Sequence, residues 1–302
     1  RLLLSANGNR PRVHLTQAQL ENPAQPPMFC MRLRKHLAGG RLAGIRQPAA
    51  ERMLDLTFDC TDELGVPCRK HLILELVGRN SNLILTGPDG RILDCLRRVD
   101  FEMSELRQLL PGLFYHEPPR QDRSIPQETT EAELLALLSR PDAAMRLDKW
   151  LLAHFAGLSP LIARELALRA FGAADARFAD RSDGCERLAA EMERLAEAVR
   201  ENRFTPTMLS REGKPVDFTY CSITQYGAET VQTTFPTFSV LLDAFYTERD
   251  RQEAAQRRGR ELTRTVTSAH DRVVRKLGML EKEYAASQDR DTLRLYGDLI
   301  TA

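Results

Sequence analysis

The chain has no Cys-x-x-Cys pair, no long apolar run and almost no net charge, and each absence removes a class of protein. Six cysteines (Cys30, Cys60, Cys68, Cys95, Cys185 and Cys221) are scattered through 302 residues. That spacing argues against a zinc ribbon and against a disulfide scaffold, and the reducing cytoplasm is its natural setting. No segment approaches the roughly 20 apolar residues of a membrane span, and "RLLLSANG" is too short for the apolar core of a signal peptide. The formal net charge is +1, so affinity for a polyanion must come from local clusters of Lys and Arg.

Catalytic signatures are missing as well. There is no Walker loop, no Gly-x-Gly-x-x-Gly after a strand, no Gly-x-Ser-x-Gly elbow and no His-Glu-x-x-His. His14, His36, His71, His116, His154 and His270 stand alone in sequence, and structural or solvated roles are the simpler reading of each. Neither a metal site nor a cofactor is expected, since no two His or Cys fall at ligand spacing.

What is present suggests binding. At 42% hydrophobic and 28% charged, the chain buries at least one sizeable core and has room for two or three domains. "RLLLS" and "RVHLT" read as short strands around the turn residues of "ANGNRP". "MFCMRLRKHL" reads as a helix with Phe29, Leu33 and Leu37 on one side, opened by Pro26-Pro27 and stopped by Gly39-Gly40. "LDLTFDC", "KHLILELVG", "NLILTGPDG" and "RILDCL" form a β-meander, with Leu54, Leu56, Phe58 and Cys60 alternating along one face. "EPPRQDRSIPQ" reads as a linker or edge loop. Then come helices in "MRLDKWLLAHF", "PLIARELALRAF" and "CERLAAEMERLAEAVREN". The first two are joined by "AGLS", in which Gly157 turns the chain, Ser159 caps and Pro160 takes the first helical position. "FTPTMLSREGKPVDFTYCSI" is a hairpin about "REGK". From Phe238 onward Leu262, Val266, Ala269, Val273, Leu277 and Leu280 step by three or four, the pattern of a coiled-coil arm. The chain opens at Arg1 inside an apparent strand, without an initiator Met, and ends as "DTLRLYGDLI" offers a fresh amphipathic segment. It reads as a fragment whose arm is cut short.

Three local groups suit nucleic acid. Arg32, Arg34, Lys35, His36 and Arg41 gather on one helix and its cap, and Arg97 and Arg98 end the meander. Such cations suit phosphate contacts, although a solvated helix face explains them equally well. "VGRNSN" places Arg79, Asn80, Ser81 and Asn82 in a polar turn, either ordinary or offering groups to base edges and ribose hydroxyls. The hairpin turn aims the N-terminal amides of the second helix outward as an anion site requires, with Gly157 and Ser159 as candidate phosphate contacts; many helical hairpins share that geometry for packing alone.

In order along the chain, "SANGNRPRVHLT", "ENPAQPPMFCMRLRKHLAGG", "IRQPAAERMLDLTF", "ELVGRNSNLILT", "LPGLFYHEPPRQ", "GLSPLIARE" and "LYGDLITA" resemble the bacterial NFACT family, historically described as fibronectin-binding proteins. The resemblance runs from Arg1 to Ala302. It implies an α+β fold: an antiparallel β-rich domain like that of formamidopyrimidine-DNA glycosylases over 1–126, a helical domain with a helix-hairpin-helix over 127–202, a small β segment over 203–237, and the start of a coiled-coil arm over 238–302. It also implies that the first strands and helix of the first domain, the far part of the arm and a C-terminal domain lie outside this chain.

The implied function is ribosome-associated quality control: binding the large ribosomal subunit obstructed by peptidyl-tRNA, and recruiting alanyl-tRNA for template-free addition of C-terminal alanine tails. Peptide transfer would belong to the ribosome, so no enzyme is expected. The family's acidic-Arg pair for tRNA binding falls on Glu51-Arg52, with Glu where Asp is usual. Its Gly-Arg-His-Ser-Asn turn falls on Gly78, Arg79, Asn80, Ser81 and Asn82, with Asn80 replacing the His. Arg32, Arg34 and Lys35 supply basic groups beside the same sheet. Two other readings remain, a DNA glycosylase-like enzyme and a surface fibronectin-binding adhesin. Such an enzyme would need an N-terminal amine that this chain does not carry, and the unpaired cysteines argue against export.

Overall fold

In the computed structural model the described residues are 1–20, 22–48, 50–119, 122–138, 145–178 and 184–302, with backbone but not side chains at 248, 251–254 and 257. The chain divides into two compact units, Arg1–Asp243 and Ala244–Ala302. The fold is a mixture of helices and antiparallel sheets, as the sequence suggests.

A hairpin of β1 (Leu2–Ser5) and β2 (Arg12–Leu15) leads through α1 (Met28–Leu37) into five antiparallel strands in sequence order: β3 (Arg41–Arg46), β4 (Met53–Thr61), β5 (Pro67–Glu75), β6 (Asn82–Thr86) and β7 (Ile92–Cys95). From β4 to β7 both faces of this sheet carry buried residues, of opposite parity. Leu56, Leu72, Leu74, Leu83 and Leu85 meet Phe29 of α1 on one face, with Leu33 and Leu37 packed at the edge. Met53, Ile73, Ile84, Ile92 and Cys95 pack with Leu109 on the other. On the expected face of β4, Leu54, Leu56 and Phe58 join one core and Cys60 is buried, while the intervening Asp55 is buried too. Buried Lys70 donates to the His36 carbonyl at 3.2 Å, satisfying one of the open carbonyls where α1 ends.

Three elements add to the sequence reading. β3 is fully exposed and broken by a bulge at Leu42/Gly44, so it carries no alternation to find. α2 (Glu131–Leu138) follows the proline-rich segment, part of which (120–121) lies outside the described residues. β10 (Val231–Thr234) is a four-residue edge strand beside the hairpin of β8 (Thr207–Arg211) and β9 (Lys214–Thr219), giving the order β10-β8-β9.

The helical layer is α3 (Leu147–His154), α4 (Pro160–Phe171) and α5 (Gly184–Arg200). Its core joins Leu147, Trp150, Leu151 and Phe155 to Leu166, Ala170, Phe171, Leu188 and Met192, and extends to Leu209 and Ile223 below the small sheet. Ser159 caps α4 by accepting from the Ile162 amide at 3.2 Å, and Gly172 ends it in the left-handed region at φ +81°. Glu165 of α4 is the main tie to the loop before β10. Burial alone would raise its pKa, yet hydrogen bonds from Thr224, the Gln225 amide and Arg169 hold it below the usual carboxylate range.

α6 (Phe238–Ser287) is one helix of 50 residues, followed after a short break by α7 (Arg290–Thr301). At its start Asp243 accepts from Thr16 Oγ1 at 2.6 Å and from the Gln17 amide at 2.9 Å, and it pairs with buried His14 at 2.9 Å, so the β1–β2 hairpin is fastened to it. Further along, Leu262, Val266, Val273, Leu277 and Leu280 form an exposed stripe. No described helix is long and apolar enough to cross a membrane.

Candidate nucleic-acid interface

The strand register decides which loops meet. Arg46 pairs with Asp55, Met53 with Glu75, Glu75 with Asn82 and Ile84 with Cys95. The β3–β4 connection, the β5–β6 connection and the exit of β7 therefore emerge at one end of the sheet. These connections carry Glu51-Arg52, Arg79 to Ser81, and Arg97-Arg98.

Glu51 and Arg52 stand on a turn in which the Glu51 amide donates to the Pro48 carbonyl at 3.1 Å and Gln47 Nε2 donates to the Glu51 carbonyl at 3.0 Å. The Leu76 amide then donates to the Arg52 carbonyl at 2.8 Å, which registers the pair against the start of the second loop. Ala50 takes φ +58°, a left-handed conformation that costs a residue with a Cβ of order 1 kcal/mol. Glu51 is half-buried and Arg52 exposed. Their backbones are tied while their charged groups make no ion pair or hydrogen bond among the described residues, not even with each other.

The polar turn splits into two kinds of residue. Arg79 and Asn80 are exposed on a short 3₁₀ turn, whereas Ser81 and Asn82 are buried. Ser81 Oγ donates to the Gly78 carbonyl at 2.7 Å, Asn82 Nδ2 donates to the Arg97 carbonyl at 2.7 Å, and Asn82 Oδ1 accepts from the Leu83 and Arg97 amides at 2.9 Å. Expected as contact groups, both instead spend their polar atoms on fixing the loop. Arg97 does similar work, donating to the carbonyls of Arg79 and Ala6. Gly8 has its place here: a Cβ on it would sit 3.1 Å from Arg79 Cα.

The basic helix is divided in the same way. Arg32 and Arg98 flank buried Asp94 at 3.8 and 3.9 Å, which joins the helix to the meander's end. Lys35 pairs with Glu63 at 2.6 Å, in the β4–β5 turn at the opposite end of the sheet. Arg34 is exposed. His36 records the local field: burial first, then Lys70, Lys35 and Arg32, lower its pKa below the ordinary value.

Beside the sheet end lies a cleft of about 700 Å³ whose wall includes Glu51, Arg52, Gly157 and Ser159. The hairpin turn reaches the pair's own loop, since a Cβ on Gly157 would stand 3.6 Å from Ala50 Cβ. The anion site at the α4 N-terminus is smaller than the sequence suggests, because Pro160 has no amide hydrogen and the Ile162 amide is already held by Ser159. Four rings that sequence reasoning missed, Phe204, Phe218, Tyr220 and Phe238, line the cleft. Phe204 meets Tyr220 and Phe238 edge-on at 5.9 and 6.0 Å. Gln127 also lines it, with a buried Oε1 that accepts no hydrogen bond among the described residues. Aromatic faces beside unpaired polar groups suit a planar, polar-edged ring.

A second acid-Arg constellation, also unforeseen, lies beneath this site. Glu75, opposite Met53, receives Arg107 through both carboxylate oxygens and Tyr115 OH at 2.7 Å. Burial first, then Glu75, pushes the Tyr115 phenol well above its ordinary pKa. Among the described residues no cluster of three or more His, Cys, Asp or Glu could hold a metal ion.

The site is thus, in a mixed α+β chain, a Glu-Arg pair unpaired among the described residues, beside an aromatic cleft and with cations at the same sheet end. A family model described as NFACT N-terminal and middle domains matches residues 1–302, and the chain belongs to the NFACT family. It is 35% identical to the Rqc2 homolog RqcH of Bacillus subtilis (strain 168) over 303 residues, covering all of this chain and 50% of that protein. It is 29% identical to the Rqc2 homolog RqcH of Streptococcus pneumoniae serotype 2 (strain D39) over 302 residues, covering all of this chain and 49% of that protein. The chain thus spans about half the length of the curated relatives it matches. The solved structure of the fibrinogen binding protein from Staphylococcus aureus is similar, with 31% identity and a TM-score of 0.64 over 81% of this chain and 82% of that one.

Proposed function

We propose that this chain is the tRNA- and large-subunit-binding part of a cytoplasmic ribosome quality-control factor, one that recruits alanyl-tRNA for template-free alanine tailing of stalled nascent chains. It acts by binding; peptide transfer is left to the ribosome. The observation that carries the reading is the Glu51-Arg52 pair, fixed by its backbone and unpaired at its charged groups among the described residues, on the wall of an aromatic cleft. Arg52 reaches a phosphate or base edge, Glu51 accepts from a base amino group, and the rings offer a stacking surface to an unstacked base. Arg79, Asn80, Arg98 and Arg32 extend the contact along the backbone. The relatives named for Rqc2 support this reading over a DNA glycosylase-like enzyme or an adhesin.

The test is a salt titration of alanyl-tRNA binding to the full-length protein. Binding should weaken linearly in log–log form, and the double variant E51A/R52A should lose about tenfold or more in affinity at unchanged Tm. Equal binding by the variant would move the site elsewhere.

A further inference from the structure

A different surface answers to different chemistry. Residues 100–106 read Asp-Phe-Glu-Met-Ser-Glu-Leu, with three carboxylates and no cation. The segment is a loop with a closed neck, because Val99 and Leu109 exchange both backbone hydrogen bonds, at 3.1 and 2.7 Å, and Leu109 is buried. Inside it Asp100 accepts from the Met103 amide at 3.0 Å through its side chain and from the Ser104 amide at 3.0 Å through its carbonyl, while Gln108 Nε2 holds the Ser104 carbonyl at 2.9 Å. The loop is therefore built before any partner arrives, and it still holds large apolar side chains in water: Phe101 is 66% exposed, Met103 69% and Leu106 89%. Leu106 also lines a groove of about 550 Å³ with Leu113, Phe114 and Pro119. Large apolar side chains held in water on a pre-organised loop, one of them lining an adjoining groove, mark a contact site.

Its electrostatics choose the partner. Glu102 and Glu105 make no ion pair among the described residues, whereas the nearby cations are engaged, Arg107 with Glu75 and Arg91 over the Phe114 ring at 4.5 Å. Phosphates of RNA or of an anionic lipid surface would be repelled by this acidic rim. We propose that the groove and the 100–106 loop dock a basic protein segment carrying apolar side chains, on the protein surface of the large ribosomal subunit. The location of that segment rests on the function proposed above; its chemistry rests on the patch alone.

The experiment places a photo-reactive benzoylphenylalanine at position 103 of the full-length protein and irradiates it with purified large subunits. An adduct to a subunit protein that survives ribonuclease is expected. An adduct to ribosomal RNA, an adduct to a second copy of the chain, or no adduct with subunits that do bind would overturn the proposal. In parallel, F101S/M103S/L106S should weaken cosedimentation with large subunits about tenfold while leaving tRNA affinity and Tm unchanged, since the three side chains are exposed. Undiminished cosedimentation defeats the groove alone. If the wild-type protein fails to cosediment with subunits, the quality-control reading falls, and the groove's occupant with it.

Discussion

Two acid-Arg constellations sit at the same end of one sheet and have opposite fates. Glu75 and Arg107 are joined through both carboxylate oxygens, capped by Tyr115 and nearly removed from solvent. Glu51 and Arg52, on the turn that leads into the strand facing Glu75, are held by their backbone and paired with nothing among the described residues. The first pair has spent its charge on the fold. The second leaves its charged groups uncommitted among the described residues, on a turn that already contains a strained alanine. Breaking each pair in turn should separate stability from binding.

The largest effect belongs to the buried pair. Arg107→Ala leaves the Glu75 carboxylate in an apolar layer with only Tyr115, and should cost about 3–5 kcal/mol in denaturant unfolding. The double replacement E51A/R52A should move the same measurement by no more than about 0.5 kcal/mol, because it removes no side-chain hydrogen bond or ion pair among the described residues. Similar losses from the two variants would mean that the exposed pair is structural after all.

A smaller effect should follow at Asn82. Its carboxamide holds both the Arg97 carbonyl and the Arg97 amide, so Asn82→Ala leaves buried backbone groups unpaired and should cost about 1–3 kcal/mol. Weakened tRNA binding in that variant should track its loss of stability, whereas Arg79→Ala should weaken binding with no stability change. If Asn82→Ala lost affinity at full stability, its side chain would be a direct contact.

Much of this frame was legible because it is written in local residue chemistry. Ser159, Pro160 and Gly172 fix the ends of α4 through their own backbone preferences, and Glu212 and Gly213 adopt φ +50° and +73° in the "REGK" turn. The Glu51-Arg52 pair is singled out through resemblance alone. What escaped depends on tertiary placement. β3 and β10 are exposed edge strands without alternation. Arg107 meets Glu75 from 32 residues away, and the rings of the cleft come from the connection after α5, the β9 strand and its exit, and the start of α6. Nothing in "GRNSN" says that its last two residues face inward: Ser81 finds the Gly78 carbonyl within the turn, whereas the Arg97 groups that hold Asn82 are in place only when the loop and the exit of β7 meet.

Acid tests the same distinction elsewhere in the unit. The folded pKa of Glu165 lies below its unfolded value, so the stability it contributes is fully present above about pH 4.3 and is lost as pH falls through the lowered folded value. Glu165→Gln should therefore flatten the acid limb of a Tm-against-pH curve while leaving the neutral region offset by a constant. An unchanged acid limb would assign the loss to other carboxylates, Asp243 first, since hydrogen bonds from Thr16, Gln17 and His14 hold its pKa down against the opposing effect of burial.

The smallest expected effect is the most specific. On the proposed reading Glu51 is the acid of the tRNA-binding pair, and Glu51→Asp removes one methylene while keeping the charge. The half-buried side chain lines the aromatic cleft, so the change withdraws the carboxylate by roughly one bond length without altering the field at Arg52. If Glu51 only tunes the local potential, tRNA affinity and its salt slope should both stay constant. If it accepts from a base amino group, the slope should stay constant while the preference among tRNA species changes by a few-fold, about 1 kcal/mol. The constant slope separates base contact from phosphate contact, because only loss of a phosphate partner changes the number of counterions released. Competition between alanyl-tRNA and a second tRNA, measured across salt for both proteins, decides between them.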